Sequence, residues 1–239
     1  MKFNFIGNGS AWNIKMNNTS AYVKKGNQMI LIDCGESIAR QIIRLEILNG
    51  IKKLYILITH THSDHIGSLG TLLFYSKYYQ NIDNYLILPN DKTYIENIKS
   101  YLKISDISNE VQFAYDQYLK KEFKLDNFEF LKATHVSSIP CYCFVLQDKD
   151  GLIYYSGDNS NIEYIKKYLK YPNSIIYTEV SNNPNLSNEH LYFDTLIKNT
   201  VLDDRKRIYL MHMDQNSNED LYKSYGFKLT KSLTRKEGD

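Results

Sequence analysis

Residues 53–58 form a short and nearly continuous apolar run, which constrains the fold more than any other stretch of the chain. A run of this length without polar alternation is typical of a strand covered on both faces, as in a parallel sheet between layers of helices. It ends at Thr59. Four potential metal ligands follow within six positions: His60, His62, Asp64 and His65. Reactive side chains at the carboxyl end of a strand are a recurring arrangement in α/β proteins.

Strand and helix patterns alternate along the rest of the chain. Predicted strands cover residues 2–6, 20–24, 28–32, 53–58, 85–88, 127–133, 141–146, 152–155, 174–180 and 207–211, and predicted helices cover residues 37–48, 66–82, 92–103 and 188–199. No repeat, low-complexity linker or change in composition divides the chain. We therefore predict one α/β domain over residues 1–239, with a charged, frayed end at residues 230–239.

Charge and composition exclude several classes of protein. The 29 Lys plus Arg and 27 Asp plus Glu leave a net charge of +2, so no overall positive field gathers a long polyanion such as tRNA. No apolar run reaches about 18 residues, and the first residues lack the pattern of a signal peptide, so neither a membrane span nor export by that route is expected. Three cysteines without disulfide-framework spacing favour a reducing, cytoplasmic compartment.

Five of the six histidines lie at or just beyond the ends of predicted strands: His60, His62, His65, His135 and His212. His60 and His62 point the same way because they lie two positions apart in an extended segment, whereas the following turn directs Asp64 and His65 to a neighbouring point. One loop can therefore serve two adjacent cations of zinc, manganese or iron. Two such cations hold both the attacking and the leaving oxygens of a displacement, which suits a phosphoester substrate.

The alternative for residues 60–65 is a polar surface loop whose histidines pair with nearby carboxylates. Four ligand-type residues in six positions, directly after an apolar strand, favour the metal site instead. His135 and Asp158 carry less information alone, because loop histidines and turn-forming aspartates are common. They support the site only together with the first cluster.

Seven sequence motifs span nearly the whole chain. They are Gly-Asn-Gly-Ser-Ala at 7–11, Asn-Thr-Ser at 18–20, Ile-Asp-Cys-Gly-Glu at 32–36, the cluster at 60–65, His135, Ser-Gly-Asp at 156–158 and Leu-Met-His at 210–212. In their residues and order these motifs resemble the metallo-β-lactamase superfamily and, within it, the branch that contains RNase Z. The resemblance implies an αββα sandwich of the metallo-β-lactamase type, with two metal ions at one edge of its two sheets.

The same resemblance implies a role for each potential ligand. The implied sets are His60, His62 and His135 for one cation, Asp64, His65 and His212 for the other, and Asp158 as the bridge between them. A water molecule acidified by both cations would be the nucleophile. Two divalent ions are thus the expected cofactors, with zinc expected first and manganese as the alternative.

Further residues are assigned by this resemblance. In RNase Z-like enzymes a Glu and a His at the places of Glu179 and His190 form a pair that protonates the leaving oxygen, and with Asp64 they are the expected catalytic residues. The match at His190 is partial, because the family's Gly-His-Ser-Thr motif appears as Glu-His-Leu-Tyr at 189–192. The alternative to a general acid is a histidine on the surface of a helix. Asp33 is expected to support the ligand loop by hydrogen bonds or to cap the following helix. The cysteines match no ligand position and are expected to be structural.

The length of the segment between His135 and Asp158 distinguishes members of the branch. RNase Z inserts a long tRNA-gripping arm after the position of His135, but here there is room only for a hairpin before Asp158. The armless members that this chain resembles degrade cyclic nucleotides as homodimers and include the phage-encoded anti-Pycsar proteins. We therefore predict a homodimeric two-metal phosphodiesterase that opens small 3′,5′-cyclic nucleotides and so counters cyclic-nucleotide immune signalling.

Three alternatives stay open. They are a tRNA 3′-processing endonuclease of RNase Z type, a lactonase or thioester hydrolase with the same ligand set, and a non-enzymatic sensor built on the same fold. Neither tRNA nor a membrane is expected as a partner, and the full set of seven ligands argues against a sensor. The segment 66–130 is rich in Tyr and Lys, among them Tyr75, Lys77, Tyr78 and Tyr79, and is predicted to form an ordinary amphipathic packing surface, with base stacking or a dimer contact as alternatives.

Overall fold

The structure is a computed structural model that describes residues 1–233. Most of the end predicted to fray, residues 234–239, lies outside the described part. Within the described part that prediction is wrong for Thr230, which is buried and whose backbone nitrogen donates to the carbonyl oxygen of Leu210 over 3.0 Å.

The first half of the chain forms a six-stranded sheet whose strand order follows the sequence. Its strands are β1 (Asn4–Gly7), β2 (Ser20–Lys25), β3 (Gln28–Ile32), β4 (Lys53–Leu57), β5 (Asp83–Leu88) and β6 (Gln112–Tyr115). The β1–β2 and β2–β3 pairs are antiparallel, and the later pairs are parallel. β3 and β4 therefore end at the same edge of the sheet, where Asp33 and Thr59 follow them.

The second half repeats this plan. Its strands are β7 (Asn127–Lys132), β8 (Tyr142–Asp148), β9 (Gly151–Tyr155), β10 (Ser174–Glu179), β11 (Ile208–Met211) and β12 (Lys228–Leu229). The first two pairs are antiparallel and the later three are parallel, so β7, β9, β10 and β11 run in one direction. Their carboxyl ends present His135, Asp158, Glu179 and His212 along one edge.

Helices connect the parallel strands within each sheet, and one further helix lies between the last strand of the first sheet and the first strand of the second. They are α1 (Ile38–Arg44), α2 (Ser63–Ile66), α3 (Leu69–Phe74) with a π-helical continuation at Tyr75–Tyr79, α4 (Lys92–Ile104), α5 (Asp116–Phe123), α6 (Ile162–Leu169), a 3₁₀ turn at Pro184–Leu186, α7 (Phe193–Lys198), α8 (Leu202–Arg205) and α9 (Glu219–Ser224). Within residues 1–233, none of them combines the length and the apolar character needed to cross a membrane.

The side chains of β3 show how the layers form. Leu31 points outward into a buried cluster with α1, α3 and α4, whereas Ile32 points into a cluster between the two sheets. That inner cluster joins Tyr55 of the first sheet to Phe144 of the second, and a third cluster packs α6, α7 and α9 on the outer face of the second sheet. Burying one such aliphatic side chain contributes about 1.5–3 kcal/mol. The protein is thus the predicted αββα sandwich.

The structure corrects several predicted elements. The helix predicted over residues 188–199 begins only at Phe193, because residues 188–192 form a turn that ends in a bridge between Ser181 and Tyr192. β6, α5 and α6 were not predicted, since β6 has only four residues and the two short helices mix apolar with charged residues. Within the segment 66–130, predicted to be an amphipathic packing surface, Ser76 is buried whereas Tyr78 and Tyr79 are 68% and 77% exposed.

Gly35 allows the ligand-bearing helix α2 to approach the end of β3. A Cβ atom at this position would lie 1.9 Å from the carbonyl oxygen of Asp64. The two segments are also joined by backbone hydrogen bonds, from Cys34 to His65 over 2.7 Å and from Ser68 to Cys34 over 3.0 Å. The approach of these backbones therefore requires a residue without a side chain.

We predict that Gly35→Ala lowers the free energy of unfolding by at least about 1–3 kcal/mol, the usual cost of forcing atoms into a packed site. Urea denaturation of the metal-free protein measures this loss. Gly70→Ala is the matched control, because a Cβ there meets nothing closer than Ile107 Cδ1 at 3.6 Å, and alanine favours a helix over glycine by about 1 kcal/mol. A Gly35→Ala protein as stable as the Gly70→Ala protein would contradict this account of the loop.

Candidate metal centre

Three histidines form the first group of potential ligands. His60 and His62 lie in the loop after β4, and His135 lies beyond β7. The Nε2 atom of His60 lies 3.0 Å from Nδ1 of His62, which lies 3.4 Å from Nε2 of His135. Within the group these nitrogens all lie within 4.8 Å of one another. Three imidazoles that converge on one point are a typical arrangement for zinc.

A carboxylate and two histidines form the second group. Asp64 and His65 belong to the one-turn helix α2, and His212 follows β11 directly. Oδ2 of Asp64 lies 3.3 Å from Nε2 of His65 and 3.3 Å from Nε2 of His212. All three side chains are buried, so the group is shielded from bulk water.

Asp158 lies between the two groups and presents one oxygen to each. Its Oδ2 atom is 3.9 Å from Nε2 of His60 and 3.8 Å from Nε2 of His135. Its Oδ1 atom is 3.4 Å from Nε2 of His65 and 3.6 Å from Nε2 of His212. One carboxylate can therefore bind a cation in each group at the same time.

The bonding of these atoms fits two divalent cations. Nε2 of His65 and Oδ1 of Asp158 are buried, and neither has a hydrogen-bond partner within residues 1–233. A buried polar atom without a partner costs free energy unless a ligand or water pairs with it. Imidazole and carboxylate both suit zinc and manganese, so the donor set matches such ions.

The pKa values of the histidines also fit a site for divalent cations. Burial lowers the pKa of His60 well below its usual value, so this ring is neutral and keeps a lone pair for a metal. Burial also opposes charge on His65 and His212, but the carboxylates of Asp158 and Asp64 outweigh it and raise the pKa of both rings. The metal-free site therefore holds protons that a divalent cation would displace.

Asp33 fixes the orientation of two of these rings. Its buried carboxylate accepts hydrogen bonds from the backbone nitrogen of Thr59 over 2.7 Å, from Oγ1 of Thr59 over 2.9 Å and from Nδ1 of His65 over 2.9 Å. Thr59 Oγ1 also lies 3.1 Å from Nδ1 of His60. These partners assign the proton to Nδ1 of each ring and leave Nε2 for a cation. The alternative role as a helix cap is wrong, because Ser37 occupies the cap of α1.

Two residues of the site have left-handed backbone conformations. Asp33 has φ of +59° and His212 has φ of +53°, values that side chains other than glycine seldom adopt. Each follows the last residue of a strand, so the chain turns sharply there and directs the side chain into the centre. Strain of this kind is concentrated at functional sites.

Glu179 and His190 form a pair beside both ligand groups. Glu179 is fully buried, and its Oε2 accepts a hydrogen bond from Nδ1 of His190 over 2.5 Å. Burial opposes charge on His190, but the Glu179 carboxylate raises the pKa of His190 to about 9. The His190 ring lies 4.8 Å from that of His135 and 5.7 Å from that of His212, measured between ring centroids. The pair can therefore hold a proton next to both groups at neutral pH.

The structure brings every predicted site residue into this one cluster. They are Asp33, His60, His62, Asp64, His65, His135, Asp158, Glu179, His190 and His212. Two contributors were not predicted: Thr59, which supports two rings, and Asn159, whose backbone nitrogen donates to Oε1 of Glu179 over 2.5 Å. Thr59 precedes the predicted ligand His60, and Asn159 follows the predicted ligand Asp158. This adjacency in the sequence could have identified both residues.

Comparisons with known proteins agree with this geometry. The profile of a family described as anti-Pycsar protein Apyc1 matches residues 1–234. The chain is 28% identical to the anti-Pycsar protein Apyc1 of Bacillus phage 010DV004, and the match covers 95% of this chain and 93% of that protein. It is 31% identical to ribonuclease Z of Halalkalibacterium halodurans over 63% of this chain and 50% of that one.

A solved structure shows the same fold. The metallo-β-lactamase-fold protein YhfI from Bacillus subtilis superposes with a TM-score of 0.71 at 15% identity, over 97% of each chain. The chain therefore belongs to the anti-Pycsar Apyc1 family and is a metal-dependent hydrolase of the RNase Z-like branch of the metallo-β-lactamase superfamily.

Proposed function

We propose that this protein hydrolyses one phosphodiester bond of 3′,5′-cyclic nucleotides and thereby removes a cyclic-nucleotide signal of immune defence. The observation that carries the proposal is the position of Asp158, whose two oxygens face two groups of metal ligands. The family match supports a phosphodiester substrate, and the resemblance to armless cyclic-nucleotide-degrading enzymes supports a small cyclic one.

Each ligand group is proposed to bind one cation. The first would be bound by His60, His62 and His135, the second by Asp64, His65 and His212, with Asp158 shared. Two divalent cations, zinc or manganese, would polarise the phosphoryl group and acidify a water molecule. Asp33 keeps the ligand nitrogens directed at the cations, because its hydrogen bonds hold the opposite ring nitrogens.

His190 is proposed to protonate the leaving oxygen. Opening the ring breaks one phosphorus–oxygen bond, and the ribose oxygen that leaves must gain a proton. In the metal-free protein the buried Glu179 carboxylate raises the pKa of His190 to about 9, which favours the protonated ring that this step needs. Its Nδ1 is held by Glu179, so Nε2 is the nitrogen available to donate.

The tRNA endonuclease is the second candidate, and two features disfavour it. Between His135 and Asp158 the chain contains only a short loop and the β8–β9 hairpin, so no arm lies at that place. The net charge of +2 also offers little attraction to the many phosphates of tRNA. A lactonase or thioester hydrolase would use the same ligands, and only a substrate comparison separates it.

The predicted homodimer stays a prediction. The exposed aromatic rings of Phe74, Tyr78 and Tyr79, on α3 and its π-helical continuation, offer an apolar surface of the kind that a second copy could cover. Light scattering measures the mass directly, and a monomer at all concentrations would exclude the dimer.

We predict that zinc- or manganese-loaded protein opens at least one of cyclic AMP, GMP, CMP and UMP, and that chelation abolishes the activity. A precursor tRNA and a simple lactone complete the substrate panel. His62→Ala is expected to lose turnover because the first cation loses a ligand, and Lys92→Ala, with its side chain 89% exposed, is the surface control. Cleavage of only the tRNA or only the lactone would show that the substrate assignment is wrong.

We predict that His190→Ala slows the opening of cyclic nucleotides by roughly 10²- to 10⁴-fold in kcat, the usual contribution of a general acid. Hydrolysis of bis(p-nitrophenyl) phosphate should change much less, because nitrophenolate leaves without a proton. Glu179→Gln should show the same selectivity, whereas Glu189→Gln, an exposed neighbouring carboxylate, should not. Equal losses on both substrates would instead assign His190 a structural role.

A further inference from the structure

The only tryptophan of the chain lies on the surface, in a loop that is hydrogen-bonded to the residue after His212. Trp12 is 83% exposed, although a side chain of this size normally contributes to a core or an interface. It belongs to the loop between β1 and β2, and within that loop Ser10 and Asn13 are buried. Ser10 and Asn13 therefore anchor the loop to the protein, whereas the side chains of Trp12 and Ile14 project from it.

This loop is fixed to the strand end that carries His212. The backbone nitrogen of Ser10 donates to the carbonyl oxygen of Met213 over 3.1 Å, and the Met213 nitrogen donates to Asn8 over 3.0 Å. The side chain of Asn13 donates to the same Met213 oxygen over 2.9 Å. Trp12 is consequently held at a set place relative to the second ligand group.

Trp12 lines a cavity of about 430 Å³ together with Leu186 and with polar residues of the loops after β10 and β11. Four of these polar residues carry side-chain amides and form the amide wall of the cavity: Asn182, Asn183, Gln215 and Asn216. A volume of this size falls within the range of small-molecule sites. Amide groups both donate and accept hydrogen bonds, as the edges of nucleobases do, and an aromatic ring offers a face for stacking.

The chain connects this cavity directly to the catalytic groups. Asp214 lines the cavity two positions after His212, and Asn182 lines it three positions after Glu179. Asp214 joins the two segments, because its Oδ2 accepts from Ser181 Oγ over 2.9 Å and from the Asn182 nitrogen over 3.3 Å. Since consecutive Cα atoms are about 3.8 Å apart, the Cα atom of Asp214 in the cavity wall lies within about 8 Å of that of His212.

We propose that this cavity is the nucleobase subsite and that Trp12 stacks on the base while the amide wall contacts its edge. The assignment rests on the proposed function, because it places the base of the same nucleotide whose phosphate is hydrolysed. It makes Trp12 a substrate-binding residue and not a member of the metal centre. A second copy of the chain packing on Trp12 and the exposed Ile14 is the competing explanation for the ring's position.

Because Trp12 is the sole tryptophan, its fluorescence reports on the subsite without any turnover. Zinc-loaded protein is titrated with a nucleoside 5′-monophosphate and, separately, with ribose 5-phosphate, which lacks the base. We expect saturable quenching by the nucleotide and none by the sugar phosphate. No quenching by any of the four common nucleotides would overturn the assignment.

Kinetics provide the second readout. Trp12→Ala is expected to lower kcat/KM for cyclic nucleotides roughly ten- to hundredfold through KM, the range supplied by base–aromatic stacking, and Trp12→Phe should recover most of it. A base-free ribose 3′,5′-cyclic phosphate should be unaffected. Tyr171→Ala, at an exposed ring that belongs neither to this cavity nor to the metal centre, is the control for loss of an exposed aromatic ring.

The outcomes separate this proposal from the proposed function. If cyclic nucleotides are opened while Trp12→Ala changes neither KM nor binding, the subsite is wrong and the function stands. If nucleotides quench Trp12 but no cyclic nucleotide is opened, the subsite stands and the substrate assignment fails. If Trp12→Ala halves the mass measured by light scattering and equally slows the base-free substrate, Trp12 is an interface residue and the subsite is wrong.

Discussion

The buried Asp33 carboxylate is the constraint on which the centre depends. Burial opposes its charge and raises the pKa of Asp33, yet three hydrogen bonds from Thr59 and His65 reach its two oxygens. These bonds join the ends of β3 and β4 and set the proton positions on two ligand rings. Without these donors the Asp33 carboxylate would be buried and unpaired, which costs free energy of folding. The ligand loop and the sheet edge are therefore stable only together.

The repeated plan of the two sheets explains why the centre forms at one edge. Each sheet begins with antiparallel pairs and continues with parallel ones, so the parallel strands end together. The first sheet supplies the loop with His60 and His65, and the second supplies single residues from separate strand ends. Asp158 is one of these, and its two oxygens connect the contributions of both sheets.

Sequence patterns predicted the local parts of this arrangement better than the distant ones. The cluster at 60–65 could be recognised because its ligands are close in sequence and follow an apolar strand. His135 and His212 could be assigned only through family resemblance, since their proximity depends on the packing of two sheets. The turn at His190 was mistaken for a helix, because the bridge that ends the turn pairs residues distant in sequence. Trp12 was not predicted as functional, because a sequence does not show which aromatic side chains remain exposed.

Diffraction at the zinc absorption edge, from crystals of zinc-loaded protein, tests the central claim most directly. The account predicts two anomalous peaks per chain, one at ligand distance from His60, His62 and His135 and one from Asp64, His65 and His212. Both should contact Asp158, through different oxygens. A single peak, or two peaks that do not share Asp158, would contradict the two-metal centre.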